Sequence, residues 1–497
     1  MLTATVFLPL VGALAIALFL SQPRQVRWFA AAVGIADFVL ATLVFAGYDR
    51  QAGGLQWVER ITGWVPSLKV EYYLGVDGLS ATLVLLTGLL GLAAIFASWS
   101  IQERVKEYFA WLLVLQTAVM GVFTSLDFVL FFLFWELELI PMYFLIAIWG
   151  SGRREYSAVK FLVFTLTGSA FMLVGLLVVF FSTGTFNMAD LAGLTGPGLD
   201  PQELLLPARV VWALFFIAFA VKLPIWPLHT WLPDAHTDAP TAVSVMLAGV
   251  LLKMGGYGLI RVNASMFPQV TQEAAFLLAV LGVVNIVYGA MVVFRQQDMK
   301  RLIAYSSISH MGLVVLGIAS LRGVEGQVSP LGLTGAALQM FTHGTITGLL
   351  FVMVGLMYER THTRYIPDLG GLARKMPFIA TIFVAGALAS LGLPSTSGFV
   401  AELTTLMGTF PVWGLLTALG ALGIVLAAGY LLWLLQRSLF GPLPERWHHH
   451  PLSDATGVEK VAPLLLTTAI FVVGLFPAVV ADTLTVGIEA IIQGRFT

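Results

Sequence analysis

Long apolar runs recur along the whole chain, separated by short stretches of turn residues or charges. An α-helix needs about 20 apolar residues to cross the hydrocarbon core of a bilayer. We count fourteen such segments, near residues 2–20, 28–46, 75–99, 108–125, 127–149, 156–182, 208–231, 240–262, 272–294, 300–320, 331–358, 376–407, 411–437 and 461–484. Proline and glycine interrupt segments 208–231 and 376–407, which favours broken helices there. The pattern predicts an all-α polytopic membrane protein with fourteen spans.

The distribution of positive charge predicts how the spans are oriented. Loops after odd-numbered spans hold sixteen Lys and Arg residues, and loops after even-numbered spans hold six. The positive-inside rule then puts the odd loops in the cytoplasm and both termini outside. The first apolar run has no preceding Lys or Arg, whereas Arg24 and Arg27 follow it. That order is the reverse of a secretory signal, so we interpret the run as the first span.

Composition narrows the class of protein further. Apolar residues make up 58% of the 497 residues and charged residues only 11%, which excludes a soluble globular enzyme. The net charge of −1 makes nucleic acid an unsuitable partner. The chain has no cysteine, so it cannot itself hold a thiolate-ligated iron–sulfur cluster, a Cys-zinc site or a disulfide.

The two interrupted segments suggest an internal repeat. Spans 7 and 12 are five helices apart, so they cross the membrane in opposite directions, as in inverted-topology transporters. Spans 4–8 and 9–13 would then be two inverted five-helix units, each with a broken helix as its fourth member. We expect four regions: the N-terminal spans (1–107), the first unit (108–264), the second unit (265–437), and a loop with the final span (438–497).

Few ionisable residues fall inside the spans, and such residues are costly and commonly mark an ion path. Glu136 and Glu138 lie two apart in span 5, which on a regular helix turns their carboxylates about 200° from each other. One would line a path and the other would meet a neighbouring helix or subunit. Lys222 precedes Pro224 and Pro227 at the predicted break of span 7. Its mid-span position argues against a snorkelling lysine, although a structural role stays open.

Four more polar residues lie inside the second half of the chain or near its centre. Lys253 is halfway along span 8, beside small residues that let another helix approach. His310 and His343 lie in consecutive spans beside hydroxyl residues, and imidazole can accept and release a proton near neutral pH. Glu402 follows the Gly-Pro break of span 12. These residues are candidates for a proton relay, against the alternative of buried hydrogen-bonding side chains.

Two loops carry histidine in patterns that could bind a metal. The turn at 229–240 holds two His and two Asp, for which we favour a capped, well-bonded turn at the mouth of the path. The loop near 437–460 contains His448, His449 and His450. Adjacent loop residues converge poorly on one ion, so we interpret these histidines as an exposed loop and predict no metal site.

The motifs around these residues resemble those of the antiporter-like subunits of respiratory complex I, over most of the chain. The matching segments are Val221–Pro224, Leu232–His236, Leu251–Gly258, Ser306–Gly312 and Gly398–Glu402. The chain stops soon after span 14, so it resembles the proton-pumping subunit M, or chain 4, which has no lateral helix. The doubled glutamate of Trp135-Glu136-Leu137-Glu138 looks more like the cyanobacterial and chloroplast NAD(P)H-quinone (plastoquinone) oxidoreductase.

The resemblance implies a role for each position. Glu136 matches the span-5 glutamate that pairs with the span-7 lysine, here Lys222. Lys253 matches the central lysine of span 8, and Glu402 matches the ion-path carboxylate of span 12. His310 and His343 match polar relay positions. Glu138 departs from the general pattern, and the resemblance gives it no role.

The resemblance also implies what surrounds the chain. It would be one subunit of a translocating enzyme complex in which quinone reduction elsewhere drives proton pumping. Cofactors are expected in partner subunits only: quinone, iron–sulfur clusters and any flavin. Its partners would be neighbouring antiporter-like membrane subunits and a peripheral redox arm, in a cyanobacterial or chloroplast thylakoid membrane or otherwise a bacterial inner membrane. The alternatives are a subunit of a multisubunit Na⁺/H⁺ antiporter, a membrane subunit of a hydrogenase complex, and a scaffold with an inactive ion path.

Overall fold

A computed structural model describes residues 1–449, 451–493 and 495–496 of the chain. Within these ranges, twelve helices are long and apolar enough to cross a membrane. They are spans 1–6 (Leu2–Phe19, Pro23–Ala46, Gly78–Ala97, Val105–Thr124, Phe128–Trp149 and Arg154–Thr183), spans 8–11 (Thr241–Ala264, Pro268–Val293, Met299–Arg322 and Leu331–Thr361), span 13 (Leu415–Phe440) and span 14 (Gly457–Leu475).

Spans 7 and 12 complete the predicted set of fourteen, and both are broken. Span 7 consists of Ala208–Lys222 and Trp231–Asp238, and span 12 consists of Pro377–Ser390 and Ser397–Trp413. Each piece is shorter than the roughly 20 residues of a full crossing, so only the two pieces together cover that length. The Pro and Gly signals therefore located both breaks correctly.

Backbone groups at the span-7 break form hydrogen bonds with other protein groups. Non-helical backbone inside a membrane requires such partners wherever water does not reach it. The indole N–H of Trp231 donates to the carbonyl of Val221 at 2.9 Å. The carboxamide of Asn285, from span 9, accepts from the backbone N–H of Trp226 at 2.7 Å and donates to the carbonyl of Pro224 at 3.1 Å. The non-helical segment is thus held between its own helix and span 9.

Spans 3, 8, 10 and 11 form the centre of the bundle. The most apolar stretches of spans 8 and 11 are fully buried, whereas that of span 13 is 33% buried. Peripheral helices such as span 13 present leucine and valine side chains outward, as lipid contact requires. The candidate relay residues of spans 8, 10 and 11 therefore lie in the best-shielded part of the protein.

Ion pairs between loops agree with the predicted topology. Those on the even-loop side join only even-side partners, namely Met1–Glu59, Arg50–Asp482 and Arg209–Glu273. Those on the odd-loop side join only odd-side partners, namely Arg360–Glu459, Arg364–Asp298 and Arg446–Asp368. A wrong number of crossings would have mixed the two sets.

Two elements differ from the helical pattern expected from the sequence. The loop after span 2 forms an antiparallel hairpin of β1 (Gln56–Val65) and β2 (Val70–Val76), with Arg60 opposite Tyr73. The segment predicted as span 14 does not run to residue 484, because its helix ends at Leu475. A separate helix, Ala478–Ile492, begins after Pro477 and packs along span 3.

Candidate functional site

Lys222 is the last residue of the first piece of span 7, and its side chain is 1% exposed. Its ammonium group forms an ion pair with the carboxylate of Glu138, which is fully buried. The rings of Trp135 and Phe161 have their centroids 5.4 and 5.6 Å from Nζ. The break therefore places a buried ion pair beside two aromatic rings.

The identity of the carboxylate corrects an expectation from the sequence. The resemblance implied Glu136 as the partner of Lys222, but the direct contact is with Glu138. Glu138 lies between helices Phe128–Leu137 and Leu139–Trp149, and its backbone remains in the right-handed helical region, with φ −68° and ψ −25°. The packing of span 5 against span 7 therefore decides which glutamate reaches Lys222. Glu136 is half-buried, lies beside Ser169 and is within electrostatic range of Lys222.

Lys253 lies at the centre of span 8 and is fully buried. Its Nζ is 2.7 Å from Nδ1 of His343 in span 11, and it also donates to the carbonyl of Ala248. Span 8 is widened into π-helical turns at Leu247–Leu251 and Leu259–Ala264 on either side of the lysine. The wide turns change the backbone hydrogen-bond pattern of the helix. In this geometry the carbonyl of Ala248, five residues before Lys253, accepts a hydrogen bond from the lysine side chain.

Glycines bring span 8 close to its neighbours, as the sequence predicted. A Cβ on Gly255 would lie 2.6 Å from the backbone nitrogen of Leu223 and 2.7 Å from the carbonyl oxygen of Phe219, both in span 7. A Cβ on Gly256 would lie 2.5 Å from the sulfur of Met340 in span 11. The small residues thus hold the helix of Lys253 directly against the break that follows Lys222.

His310 connects the central lysine region to span 12. Its Nδ1 is 3.2 Å from Oε1 of Glu402, and its Nε2 is 3.4 Å from the hydroxyl of Ser390. Its ring centroid is 5.8 Å from that of His343. A cavity of about 10 Å³ lies among these side chains, roughly the space of one water-sized molecule.

The break in span 12 shapes the position of Glu402. Gly392 has a φ of +79°, a conformation that favours glycine. A Cβ at this position would lie 2.7 Å from Oε2 of Glu402, so a larger residue would push against the carboxylate. The carboxylate is 3% exposed and lies one turn into the second piece of the span.

The structure thus brings the side chains of four predicted residues together in one row, in the spatial order Lys253, His343, His310 and Glu402. Lys222 with Glu138 forms a separate pair, joined to span 8 through the packing of Gly255. Each of the four side chains is ionisable and shielded from lipid.

Two buried ionisable groups near this site were given no part in the relay by the sequence. Lys300, the first residue of the predicted span 10, is 3% exposed and donates to the carbonyl of Ala239 at 2.6 Å. His236 is fully buried, stacks on Phe351 and lies within electrostatic range of both Lys300 and Lys253. Their positions close to the first turn of span 8 and to the cytoplasmic mouth of the break could be found only from tertiary structure.

The two histidine-bearing loops can now be placed. In the turn at 229–240, Asp234 pairs with Lys160 at 2.7 Å and with Arg301 at 3.3 Å. The predicted capped, well-bonded turn is only partly correct, because the side chain of Thr230 does not cap the helix and both ring nitrogens of His236 are buried without a hydrogen-bond partner among the described residues. His448 and His449 are exposed, and Nε2 of His448 is 3.1 Å from the carbonyl of Leu443. His450 lies outside the described residues.

Known proteins resemble the chain over almost its full length. NAD(P)H-quinone oxidoreductase chain 4 1 of Synechococcus elongatus is 46% identical over 505 residues, which cover 99% of this chain and 92% of that protein. NADH-quinone oxidoreductase subunit M of Rhodobacter capsulatus is 41% identical over 513 residues, which cover 99% and 96%.

Solved structures give the same result at the level of the fold. A chain of respiratory complex I from Thermus thermophilus superposes with a TM-score of 0.87 at 29% identity, covering 99% of this chain and 100% of that one. A chain of the Mrp complex from Dietzia has a TM-score of 0.86 at 22% identity over 100% and 98%, which shows a shared fold alone. Residues 125–427 match the transmembrane family described as NADH:quinone oxidoreductase/Mrp antiporter. The chain is therefore a multi-pass membrane protein that belongs to the NADH:quinone oxidoreductase/Mrp antiporter family.

Proposed function

We propose that this chain is the proton-translocating membrane subunit of a complex I-like NAD(P)H- or ferredoxin-quinone oxidoreductase. The observation that carries the proposal is the buried row of side chains from Lys253 through His343 and His310 to Glu402. Relatives that are quinone oxidoreductase subunits, at 41–46% identity over the full chain, support the assignment to that class of complex.

Two of the three steps in the relay have direct polar contacts, and the step from His343 to His310, whose ring centroids are 5.8 Å apart, would cross the small cavity between them. Nζ of Lys253 and Nδ1 of His343 are 2.7 Å apart, so one of these two atoms must carry the shared hydrogen and the other must accept it. His310 can accept through one ring nitrogen and release through the other, since both nitrogens face polar groups. Glu402 receives the proton in the outer half of span 12 and passes it toward the outer side.

The pair of Lys222 with Glu138 would load the relay by electrostatics. A unit charge about 4 Å away changes the energy of another by ~4 kcal/mol at an effective dielectric of about 20. When the pair opens, the ammonium of Lys222 becomes available to repel a proton on Lys253, across the contact made at Gly255. His236 and Lys300 lie on the cytoplasmic side of Lys253, where protons would enter.

Redox chemistry would be the task of partner subunits. We propose that quinone, iron–sulfur clusters and any flavin reside there, and that this chain contacts neighbouring antiporter-like subunits in the membrane. The cyanobacterial relatives, such as those of Synechococcus and Thermosynechococcus, favour the photosynthetic type of complex and a thylakoid membrane.

Two experiments test this function. Co-purifying subunits are identified by mass spectrometry after mild detergent extraction, and quinone-oxidoreductase subunits with ferredoxin- or NADH-linked partners are expected. Small antiporter subunits without any redox protein would instead assign the chain to a Na⁺/H⁺ antiporter. In the purified complex, Lys222→Ala and Glu138→Ala are expected to lower the number of protons pumped per electron while the subunits stay assembled. An unchanged proton-to-electron stoichiometry would refute the role of this pair in loading the relay.

A further inference from the structure

A buried carboxylate lies in the N-terminal helices, which contribute no residue to the proposed relay. Asp37 is the only acidic residue of span 2, and it lies near the middle of that helix. Its side chain is fully buried. A carboxylate at this depth is unfavourable unless it is paired or protonated, so its state needs an explanation.

The direct partner of Asp37 is an amide and not a cation. Nε2 of Gln116, in span 4, donates to Oδ2 of Asp37 at 2.5 Å. The carboxamide of Gln116 lies directly against span 3, because a Cβ on Gly91 would be 2.4 Å from its carbon and oxygen. The pair therefore sits where spans 2, 3 and 4 meet, with no room for another group on the span-3 side.

The helices packed against span 2 offer Asp37 no counter-charge. Spans 1 and 3 contain no ionisable side chain. The ionisable residues of span 4 are confined to its first turn, at Lys106, Glu107 and Tyr108. Within span 2, Arg24 and Arg27 are at least ten residues from Asp37, about 15 Å along the helix axis, and Arg27 donates to the carbonyl of Ile101.

Two acceptor atoms of the pair are left over. Oδ1 of Asp37 and Oε1 of Gln116 are both buried and have no hydrogen-bond partner in the described part of the chain. If Asp37 were ionised, a buried charge and two acceptors would be uncompensated together, which is strongly unfavourable. One proton on Asp37 removes the charge and pairs both acceptors. The O–H at Oδ1 of Asp37 can donate to Oε1 of Gln116, while Nε2–H of Gln116 donates to Oδ2 of Asp37.

We propose that Asp37 is a proton-binding site, held as a neutral carboxylic acid in a doubly hydrogen-bonded pair with Gln116 that joins spans 2 and 4. The site does not depend on the relay of spans 8–12. Its ligand is the proton, and loss of that proton at alkaline pH would place an uncompensated charge at the junction of three helices.

The test is infrared spectroscopy of the intact complex, comparing wild type with Asp37→Asn at neutral pH. We expect a protonated-carboxyl C=O band that is present in wild type, absent from Asp37→Asn and shifted in frequency by Gln116→Leu. The matched control is Asp482→Asn, which removes a side chain that is 59% exposed and should leave the protonated-carboxyl region unchanged. Absence of any difference band between wild type and Asp37→Asn would overturn the proposal.

Thermal stability provides a second readout. An asparagine can form the same pair of hydrogen bonds with Gln116, so the complex with Asp37→Asn should assemble and melt close to wild type at neutral pH. The complex with Asp37→Leu should melt at a lower temperature, because leucine leaves both the N–H and the oxygen of the Gln116 amide unpaired. At alkaline pH, wild type should lose stability relative to Asp37→Asn, since only the wild-type residue can ionise. If Asp37→Asn instead destabilised the complex as much as Asp37→Leu at neutral pH, the native residue would be ionised and the proposal would be wrong.

Discussion

Replacing Glu402 by glutamine isolates the charge at the outer end of the relay. Glutamine keeps the size of the side chain and its ability to accept a hydrogen bond from His310, but it cannot take up a proton. The carboxylate oxygen is 3.2 Å from Nδ1 of His310, and both side chains are buried. The change therefore removes the electrostatic interaction that would draw a proton onto His310, with little change in packing.

The size of this interaction follows from the distance. Two unit charges 3.2 Å apart attract by about 5 kcal/mol at an effective dielectric of ~20. Since about 1.4 kcal/mol corresponds to a factor of ten, losing even a third of this attraction would slow proton transfer between the two side chains about tenfold. Other steps share control of the turnover, so we expect the rate of proton pumping to fall by at least tenfold.

The assay is proton uptake into inside-out membrane vesicles during quinone reduction, with electron transfer from donor to an artificial acceptor as the measure of an intact complex. The matched control is Glu273→Gln, because Glu273 is exposed on the outer face and pairs with Arg209 there. We expect this control to pump like wild type. Normal pumping by Glu402→Gln would refute the reasoning, since a relay that ends at Glu402 cannot work without its titratable group.

Two further predictions concern the packing around Lys222. Glu138→Gln should lower the melting temperature of the solubilised complex more than Glu136→Gln, because removing one partner of a buried ion pair costs roughly 3–5 kcal/mol; equal effects would contradict the direct pairing with Glu138. Gly255→Ala should destabilise the complex by about 1–3 kcal/mol and slow pumping, because its Cβ would lie 2.6 Å from the backbone of span 7; a wild-type melting temperature and pumping rate would show that spans 7 and 8 are not held this closely.

Much of the fold follows from hydropathy, because a bilayer leaves a chain few ways to satisfy its backbone. Fourteen spans and both broken helices could be predicted from apolar length and the positions of proline and glycine. The β-hairpin was missed because its strands, Gln56–Val65 and Val70–Val76, have 10 and 7 residues. Both are much shorter than a membrane span of about 20 residues, so they produce no signal in a hydropathy pattern of that length. The end of span 14 was misplaced because apolar residues continue past Pro477 into a separate helix.

The site shows where reasoning from sequence stops. Buried lysines, histidines and glutamates could be selected because each is costly in a membrane, but their order of contact depends on tertiary packing. The choice of Glu136 over Glu138 rested on the family resemblance, whereas the face of span 5 that packs against Lys222 depends on tertiary structure. Asp37 had a readable signal, a lone carboxylate inside an apolar span, yet its amide partner lies in another helix and could not be inferred.

In the proposed mechanism, every proton that crosses the membrane passes through Lys253. The most direct measurement is the pumping rate of the intact complex with Lys253→Met, a change that keeps an unbranched side chain one atom shorter and removes the titratable amine. We predict that pumping is lost while electron transfer from donor to an artificial acceptor continues at the wild-type rate. Pumping at the wild-type rate would contradict the account, because the buried contact of Lys253 with His343 would then have no part in translocation.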